Sequence, residues 1–324
     1  MNHREELLVI RNWLALIIAL AGARAAEAQQ PASARDLATR LAAMTAVTGF
    51  ERAMVDSLLS ILPGSRRDRA GNAVLVLGAG EPRRLLACPL DEPGYVVGGI
   101  DEAGYLTLRR IGRAPTPLFD QQLEGHRVTI WGRRGAVPGV VAVRSTHLTR
   151  GRSPVSEEPF TVDNAYVDVG VSTPEEAGSL GIRVLTPVAL TKRPHRYGID
   201  LLAAPAAGRR GACAALVAAG LARQKPQGTV VIGFTVEQNL GQRGLLTAGN
   251  ESGPFDETVL LGAFPAGFGT IATTHDTTAI APPLGNRSRW LIAVRYPDTA
   301  VETVALSDVD ALARRIVTWM GGAQ

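Results

Sequence analysis

The sequence predicts an α/β fold that is interrupted by a β-rich insert. Two segments in which helix and strand patterns alternate flank a central region of short strands separated by glycine-containing turns. Alternating helices and strands are typical of a sheet covered by helices, whereas short strands at regular spacing indicate a small barrel or sandwich. We therefore expect an α/β domain at residues 31–93 and 177–324, and an inserted barrel-like domain at 94–176.

The first α/β segment begins with a predicted helix at residues 34–44. Leu37, Leu41 and Met44 recur at spacings of four and three, which places them on one helix face. A second apolar stripe at helical spacing runs from Met54 to Leu62, and two short apolar runs follow it. They predict a second helix and two strands at 73–77 and 84–88.

The later elements are predicted from the same two periods. β-branched and aromatic runs define the insert, at 95–97, 105–108, 128–131 and 140–143. From residue 212 the sequence again alternates between helix and strand patterns. It predicts a helix at 212–222, a strand at 229–235, a helix near Leu245, and strands at 257–261 and 291–294. Ser307 is predicted to cap a last helix, with Asp310 three residues further on.

Composition excludes one class of partner. The formal net charge is +4 and the isoelectric point is near 9.4, but the basic residues occur as isolated pairs rather than as a stripe with interleaved aromatics. Aromatic residues make up only 5% of the chain, and no nucleic-acid-binding motif is present. We therefore expect no nucleic-acid partner.

The N-terminus has the pattern of an export signal. An apolar stretch at 13–23 follows Arg4 and Arg11, and small-x-small patterns follow at 23–25 and 26–28. This predicts a signal peptide at 1–28 and a secreted or periplasmic protein with no membrane span after cleavage; the alternative is an uncleaved anchor. In such a compartment Cys88 and Cys213, the two cysteines, either pair or remain buried thiols.

Ten short motifs spread along the chain resemble those of the tetrahedral or deblocking aminopeptidases, a family also called glutamyl aminopeptidases or endoglucanase M. These motifs lie at residues 48–51, 71–72, 91–95, 99–105, 123–128, 137–141, 166–182, 234–236, 241–244 and 301–302. The resemblance implies a zinc-aminopeptidase-type mixed sheet flanked by helices, with an inserted β-domain that mediates dimers and larger assemblies. It also implies two zinc or cobalt ions and a glutamate that acts as general base.

The positions that would hold the metal ions carry other residues. Pro89 stands where the family has a histidine, and Gly208 and Arg209 stand where it has two acids, one of them the bridging aspartate. Gly262 replaces an acid at the end of a later strand, and Asp298 replaces the last histidine. Proline and glycine offer no ligand atom, and an arginine repels a dication.

The catalytic pair is also replaced. Gln238 stands where the family has the general base, and Asn239 where it has a ligand glutamate. Glu237 is acidic but falls one residue early. An amide is not a base near neutral pH. We therefore expect no bound cofactor and no peptidase activity.

Two other functions remain open on the sequence. One is an active aminopeptidase with a site rebuilt from Asp91, Glu237, Asp298 or His275. The other is a module that binds a peptide or an acidic ligand in the old cleft, using Arg209 and Arg210. If the family fold holds, Cys88 and Cys213 flank this vestigial pocket, which is expected to contain Asp91, Arg209, Arg210, Glu237, Gln238, Asn239 and Asp298. A disulfide there would hold the pocket together without metal.

Overall fold

The computed structural model describes residues 33–142, 160–275 and 282–322. The expected signal at 1–28 lies outside these ranges. Within them, none of the helices combines the length and the apolar character needed to cross a membrane.

The α-helices of the described ranges are α1 (Ala34–Ala42), α2 (Arg52–Ile61), α3 (Pro174–Ser179), α4 (Ala207–Leu221), α5 (Arg243–Ser252) and α6 (Leu306–Met320). The strands are β1 (Arg66–Arg67), β2 (Ala73–Gly78), β3 (Arg83–Pro89), β4 (Gly94–Ile100), β5 (Leu106–Ile111), β6 (Arg127–Gly132), β7 (Gly135–Val141), β8 (Tyr166–Asp168), β9 (Pro187–Leu190), β10 (His195–Tyr197), β11 (Leu201–Ala203), β12 (Thr229–Thr235), β13 (Glu257–Pro265), β14 (Ile271–His275), β15 (Asn286–Arg295) and β16 (Thr303–Ala305).

The larger sheet is mixed, with a parallel centre. Its order is β1-β2-β12-β3-β13-β15-β16-β11-β10, and β14 pairs with β15 off this path. Strands β12, β3, β13 and β15 run parallel to their neighbours in that group. Their carboxyl ends therefore meet at one edge, where Thr235 lies opposite Pro89.

Helices cover both faces of this sheet, as expected for buried parallel strands. On one face α1, α2, α4 and α6 pack in a core that includes Leu86, Ile232 and Leu216. On the other face Leu245 of α5 packs against Leu85 and neighbouring side chains. Leu85 and Leu86 serve opposite cores because successive strand residues point to opposite faces. The predicted α/β class is confirmed.

The inserted region forms a closed six-stranded barrel in the order β4-β5-β8-β7-β6-β9. Its interior is filled by a separate apolar cluster that includes Tyr95, Leu108, Ile130 and Val188. Strand β9 pairs with both β4 and β6 and so closes the barrel. The barrel consequently extends past the range 94–176 that the sequence indicated.

Two element boundaries differ from the sequence predictions in ways that affect function. Helix α4 begins at Ala207 rather than at 212, so Arg209 and Arg210 lie in its first turn. Ser307 was wrongly predicted as a cap: α6 begins at Leu306, and the Ser307 N–H donates to Asp200 Oδ2 at 2.8 Å. The capping carboxylate therefore comes from a distant segment that no local pattern reveals.

Candidate functional site

A cleft of about 310 Å³ lies at the carboxyl edge of the parallel strands. Open α/β sheets bind their ligands at this edge. The first turn of α4 and barrel residues such as Tyr95 and Phe119 complete its walls. Five of the replaced positions named above line it together: Pro89, Arg209, Gln238, Gly262 and Asp298.

Asp91 is retained from the family pattern but serves the loop that follows β12. Its carboxylate is fully buried. Oδ1 accepts the N–H of Gln238 at 2.9 Å, and Oδ2 accepts the N–H of Asn239 at 3.0 Å and the hydroxyl of Thr48 at 2.9 Å. These bonds fix the loop to the end of β3.

At the base of the cleft lies a buried charge cluster formed by Glu92, Lys192 and Arg210, and the first two contribute to the cleft lining. Lys192 Nζ donates to Glu92 Oε2 and to the carbonyl oxygen of Pro205, and Arg210 Nη2 lies 3.1 Å from the same Glu92 oxygen. Burial alone would raise the pKa of Glu92, but the two cations outweigh it and hold that pKa below its ordinary value. Burial lowers the pKa of Lys192.

Arg210 was expected to face the cleft, but it is fully buried in this cluster and donates to the carbonyl oxygen of Leu90. Adjacent helix residues project about 100° apart, so Arg209 faces the cleft and Arg210 does not. Sequence reasoning assigned no role to Lys192, because it lies in the connection after β9 and carries no local motif. Its partner Glu92 belongs to the motif at residues 91–95 that carries the family resemblance.

Gly208 occupies a position with no room for a side chain. A Cβ built there would lie 2.4 Å from Val294 Cγ1 and 2.6 Å from Ala263 Cβ. The Gly208 N–H donates to Glu302 Oε1 at 2.9 Å. The packing around Gly208 therefore leaves no room for the acid that the family resemblance predicts at this position.

Arg209 and Asp298 place opposite charges in the cleft. Arg209 is half-buried, and its Nη1 donates to the carbonyl oxygen of Asp91. The Asp298 side chain is exposed, while its N–H donates to Glu302 Oε2 at 2.9 Å. Partial desolvation by the surrounding cleft raises the pKa of Asp298, and burial raises that of Glu302.

The other positions proposed for catalysis lie at the rim or outside the cleft. Gln238 lines it, but Asn239 is exposed and its Nδ2 donates to the hydroxyl of Thr48 at 3.0 Å. Glu237 has a φ of 53°, and its carboxylate pairs with Arg243 Nη1 at 3.0 Å. His275 ends β14 as an exposed residue and does not line the cleft.

The residues present do not fit a pair of zinc or cobalt ions. Zinc is bound by thiolate, imidazole or carboxylate, and the replaced positions in the cleft offer one carboxylate, at Asp298. In the described part of the chain, no group of three or more His, Cys, Asp and Glu side chains is arranged to hold a metal ion. The Arg209 guanidinium adds a positive charge where the family has an acid.

A disulfide joins Cys88 to Cys213 beside the cleft. It links the end of β3 to the second turn of α4, with Cα atoms 5.5 Å apart and 125 positions between them in sequence. Pro89, which follows Cys88, lines the cleft, as does Arg209, four residues before Cys213. The bond therefore holds the end of β3 and helix α4 together beside the cleft.

Comparison with known proteins places this scaffold. The M42 glutamyl aminopeptidase family model matches residues 71–267. SgcX of Escherichia coli is 30% identical over 210 residues, which cover 62% of this chain and 55% of SgcX. The lysyl aminopeptidase of Pyrococcus furiosus is 26% identical over 200 residues, covering 62% of this chain and 56% of that protein. The aligned regions thus span little more than half of each relative.

Solved structures share the fold at low identity. The TET1 peptidase of Pyrococcus horikoshii superimposes with a TM-score of 0.77 at 19% identity, covering 89% of this chain and 99% of that one. An aminopeptidase from Desulfurococcus kamchatkensis gives a TM-score of 0.75 at 19% identity, covering 90% and 95% of the two chains. Because the family model matches more than half of its length, this chain belongs to the M42 glutamyl aminopeptidase family.

Proposed function

We propose that the chain is a metal-free, non-hydrolytic member of the M42 family that binds a ligand in the cleft. The observation that carries this proposal is the first turn of α4. Gly208 has no space for an acid, and Arg209 presents a guanidinium to the same cleft. Like charges in a partly desolvated site repel strongly, so this turn disfavours a dication.

The residue at the position of the family's general base supports the same proposal. Gln238 takes the place of the general base, and an amide does not accept a proton from water near neutral pH. Glu237, the nearest acid in sequence, pairs with Arg243 and does not line the cleft. A base must reach the proton that it removes.

The first test is the metal content of the purified protein after incubation with zinc, cobalt or manganese and removal of the excess. We expect far less than one equivalent per chain and no release of N-terminal residues from peptides. The lysyl aminopeptidase of P. furiosus, treated identically, is the positive control. One or two tightly held equivalents together with turnover would establish an active, rebuilt site instead.

We also propose that the protein is exported. The apolar segment at 13–23 with its small-x-small patterns supports this, as does the disulfide, because such bonds persist mainly in oxidising compartments. Cell fractionation and N-terminal sequencing of the recovered protein test it. A mature chain that begins near residue 29 in the periplasm or medium supports export, whereas an intact N-terminus in the membrane fraction indicates the anchor.

A homo-oligomer formed through the barrel is a further part of the proposal. The TET1 peptidase of P. horikoshii assembles into a tetrahedron or a large octahedral shell. On this chain the barrel exposes large apolar side chains at Trp131, Val140 and Tyr166. Light scattering coupled to gel filtration measures the assembly, and a monomer at micromolar concentration would contradict it.

A further inference from the structure

Among the charged side chains that line the cleft, Arg209 and Asp298 have opposite charges and do not pair with each other. Arg209 projects from α4, and Asp298 lies in the loop after β15. Among the described residues, the Arg209 side chain donates to the carbonyl oxygen of Asp91 and not to Asp298. Two unlike charges held apart across a cleft suit a ligand that carries both charges itself.

Arg209 has donors left for a ligand. Its recorded hydrogen bond within the described residues uses Nη1, which donates to the carbonyl oxygen of Asp91. A guanidinium has five N–H donors in a planar fork that matches a carboxylate. Anchoring of one nitrogen fixes the direction in which the remaining donors point.

Asp298 offers the complementary acceptor. Its carboxylate is exposed to the cleft, and the buried Glu302 stands behind it with each oxygen accepting one backbone N–H. Both Glu302 oxygens are thus occupied by backbone donors, and Asp298 is the carboxylate at this end that is open to a ligand. This end of the cleft favours an ammonium group.

The rest of the wall limits the size and character of the ligand. Leu190, Phe264 and Leu291 give it an apolar side. A volume near 310 Å³ lies at the lower end of the range for ligand pockets. The Gln238 amide, which also lines the cleft, can donate to and accept from a peptide group.

We propose that the cleft binds a small zwitterion, an apolar α-amino acid or dipeptide, with its carboxylate on Arg209 and its ammonium on Asp298. This inference rests on the proposed metal-free state, because a metal ion at Arg209 would compete with the carboxylate. The ligand enters and leaves unchanged.

Calorimetric titration with four probes tests the two contacts. The probes are leucine, Leu-Leu, N-acetyl-leucine and leucinamide. We expect at least one of the two unblocked probes to bind, and blocking of either terminus to weaken binding on the order of tenfold or more, as loss of a charged hydrogen bond does. Leucine against Leu-Leu distinguishes a single amino acid from a dipeptide. Equal binding of blocked and unblocked probes would overturn the proposal.

Two variants assign the ends of the ligand. In Arg209→Met, leucine and leucinamide should bind equally; in Asp298→Asn, leucine and N-acetyl-leucine should. Arg243→Met, which removes an exposed arginine outside the cleft, is the matched control and should bind as wild type. Thermal melts check that all three fold. A metal-free protein that binds none of the probes ends this inference alone, whereas hydrolysis of Leu-Leu by a metal-loaded protein ends the proposed function as well.

Discussion

The buried charge cluster and the cleft wall above it differ in how their residues are held. The side chains of Glu92, Lys192 and Arg210 are almost wholly buried, and both cations contact the Glu92 carboxylate, so each cation depends on it. The wall positions Pro89 and Gly262, by contrast, make no polar side-chain contacts. A residue whose function is to contact a ligand can be replaced at small cost to folding. A buried charge cannot lose its partner without a large penalty.

On the proposal that the cleft holds no metal, this difference explains how the scaffold keeps its stability. The stability of the sheet edge rests on Asp91, on the cluster and on the disulfide, none of which requires a metal ion in this structure. If that interpretation is correct, substitutions in the cluster should affect stability strongly and substitutions in the wall should not.

The largest effect is expected for Glu92→Ala. It leaves two buried cations without their carboxylate, which typically costs about 3–5 kcal/mol. Urea denaturation measures the change in the free energy of unfolding, and Asp298→Asn, a carboxyl loss on the exposed rim, is the control that should change little. Similar effects for the two variants would contradict the comparison.

The depressed pKa of Glu92 also predicts how stability depends on pH. The folded-state pKa of Glu92 lies below its ordinary value of 4.5. A carboxyl with a depressed pKa stabilises the fold above the unfolded-state pKa, and this contribution is lost as the pH falls through the folded-state pKa. The advantage of the wild type over Glu92→Gln should therefore be constant near neutrality and shrink below about pH 4.5.

The second largest effect is expected from removal of the disulfide. The double variant Cys88→Ala, Cys213→Ala opens a link between positions 125 apart, and loss of a native disulfide of this kind costs about 2–4 kcal/mol. Wild type unfolded under reducing conditions should show the same loss in urea titrations. Titration of the unfolded, unreduced wild type should find no free thiol; two thiols would refute the bond.

A smaller effect separates two glycines at which the family has acids. Gly208→Asp places a Cβ within 2.6 Å of both Val294 and Ala263, and such overpacking costs about 1–3 kcal/mol. Gly262→Asp meets only the end of Leu291, at 3.0 Å, and should cost less than about 1 kcal/mol because that side chain can move. Thermal melts compare the pair, and neither variant should bind zinc tightly. Equal costs would show that the turn adapts.

The sequence predicted the scaffold better than the arrangement of the cleft. The α/β class followed from local periodicity. The grouping of Pro89, Arg209 and Gln238 in one cleft followed from the resemblance to the family. The different directions of Arg209 and Arg210 did not, because the predicted start of α4 came five residues late and left both outside the helix. Lys192 was missed because its partner is 100 positions away, and no local pattern encodes such a pair.

The smallest effect is expected for Glu237→Gln, and it decides between the inactive and rebuilt sites. Its carboxylate pairs with an exposed arginine at the surface, and such pairs contribute less than about 1 kcal/mol. Since the carboxylate does not line the cleft, the variant should match wild type both in stability and in the absence of peptide hydrolysis. If instead wild type hydrolyses peptides and the variant does not, Glu237 would be the base. The loop after β12 would then have to rearrange before the reaction. The contrast between the buried charge cluster and the cleft wall would no longer account for the site.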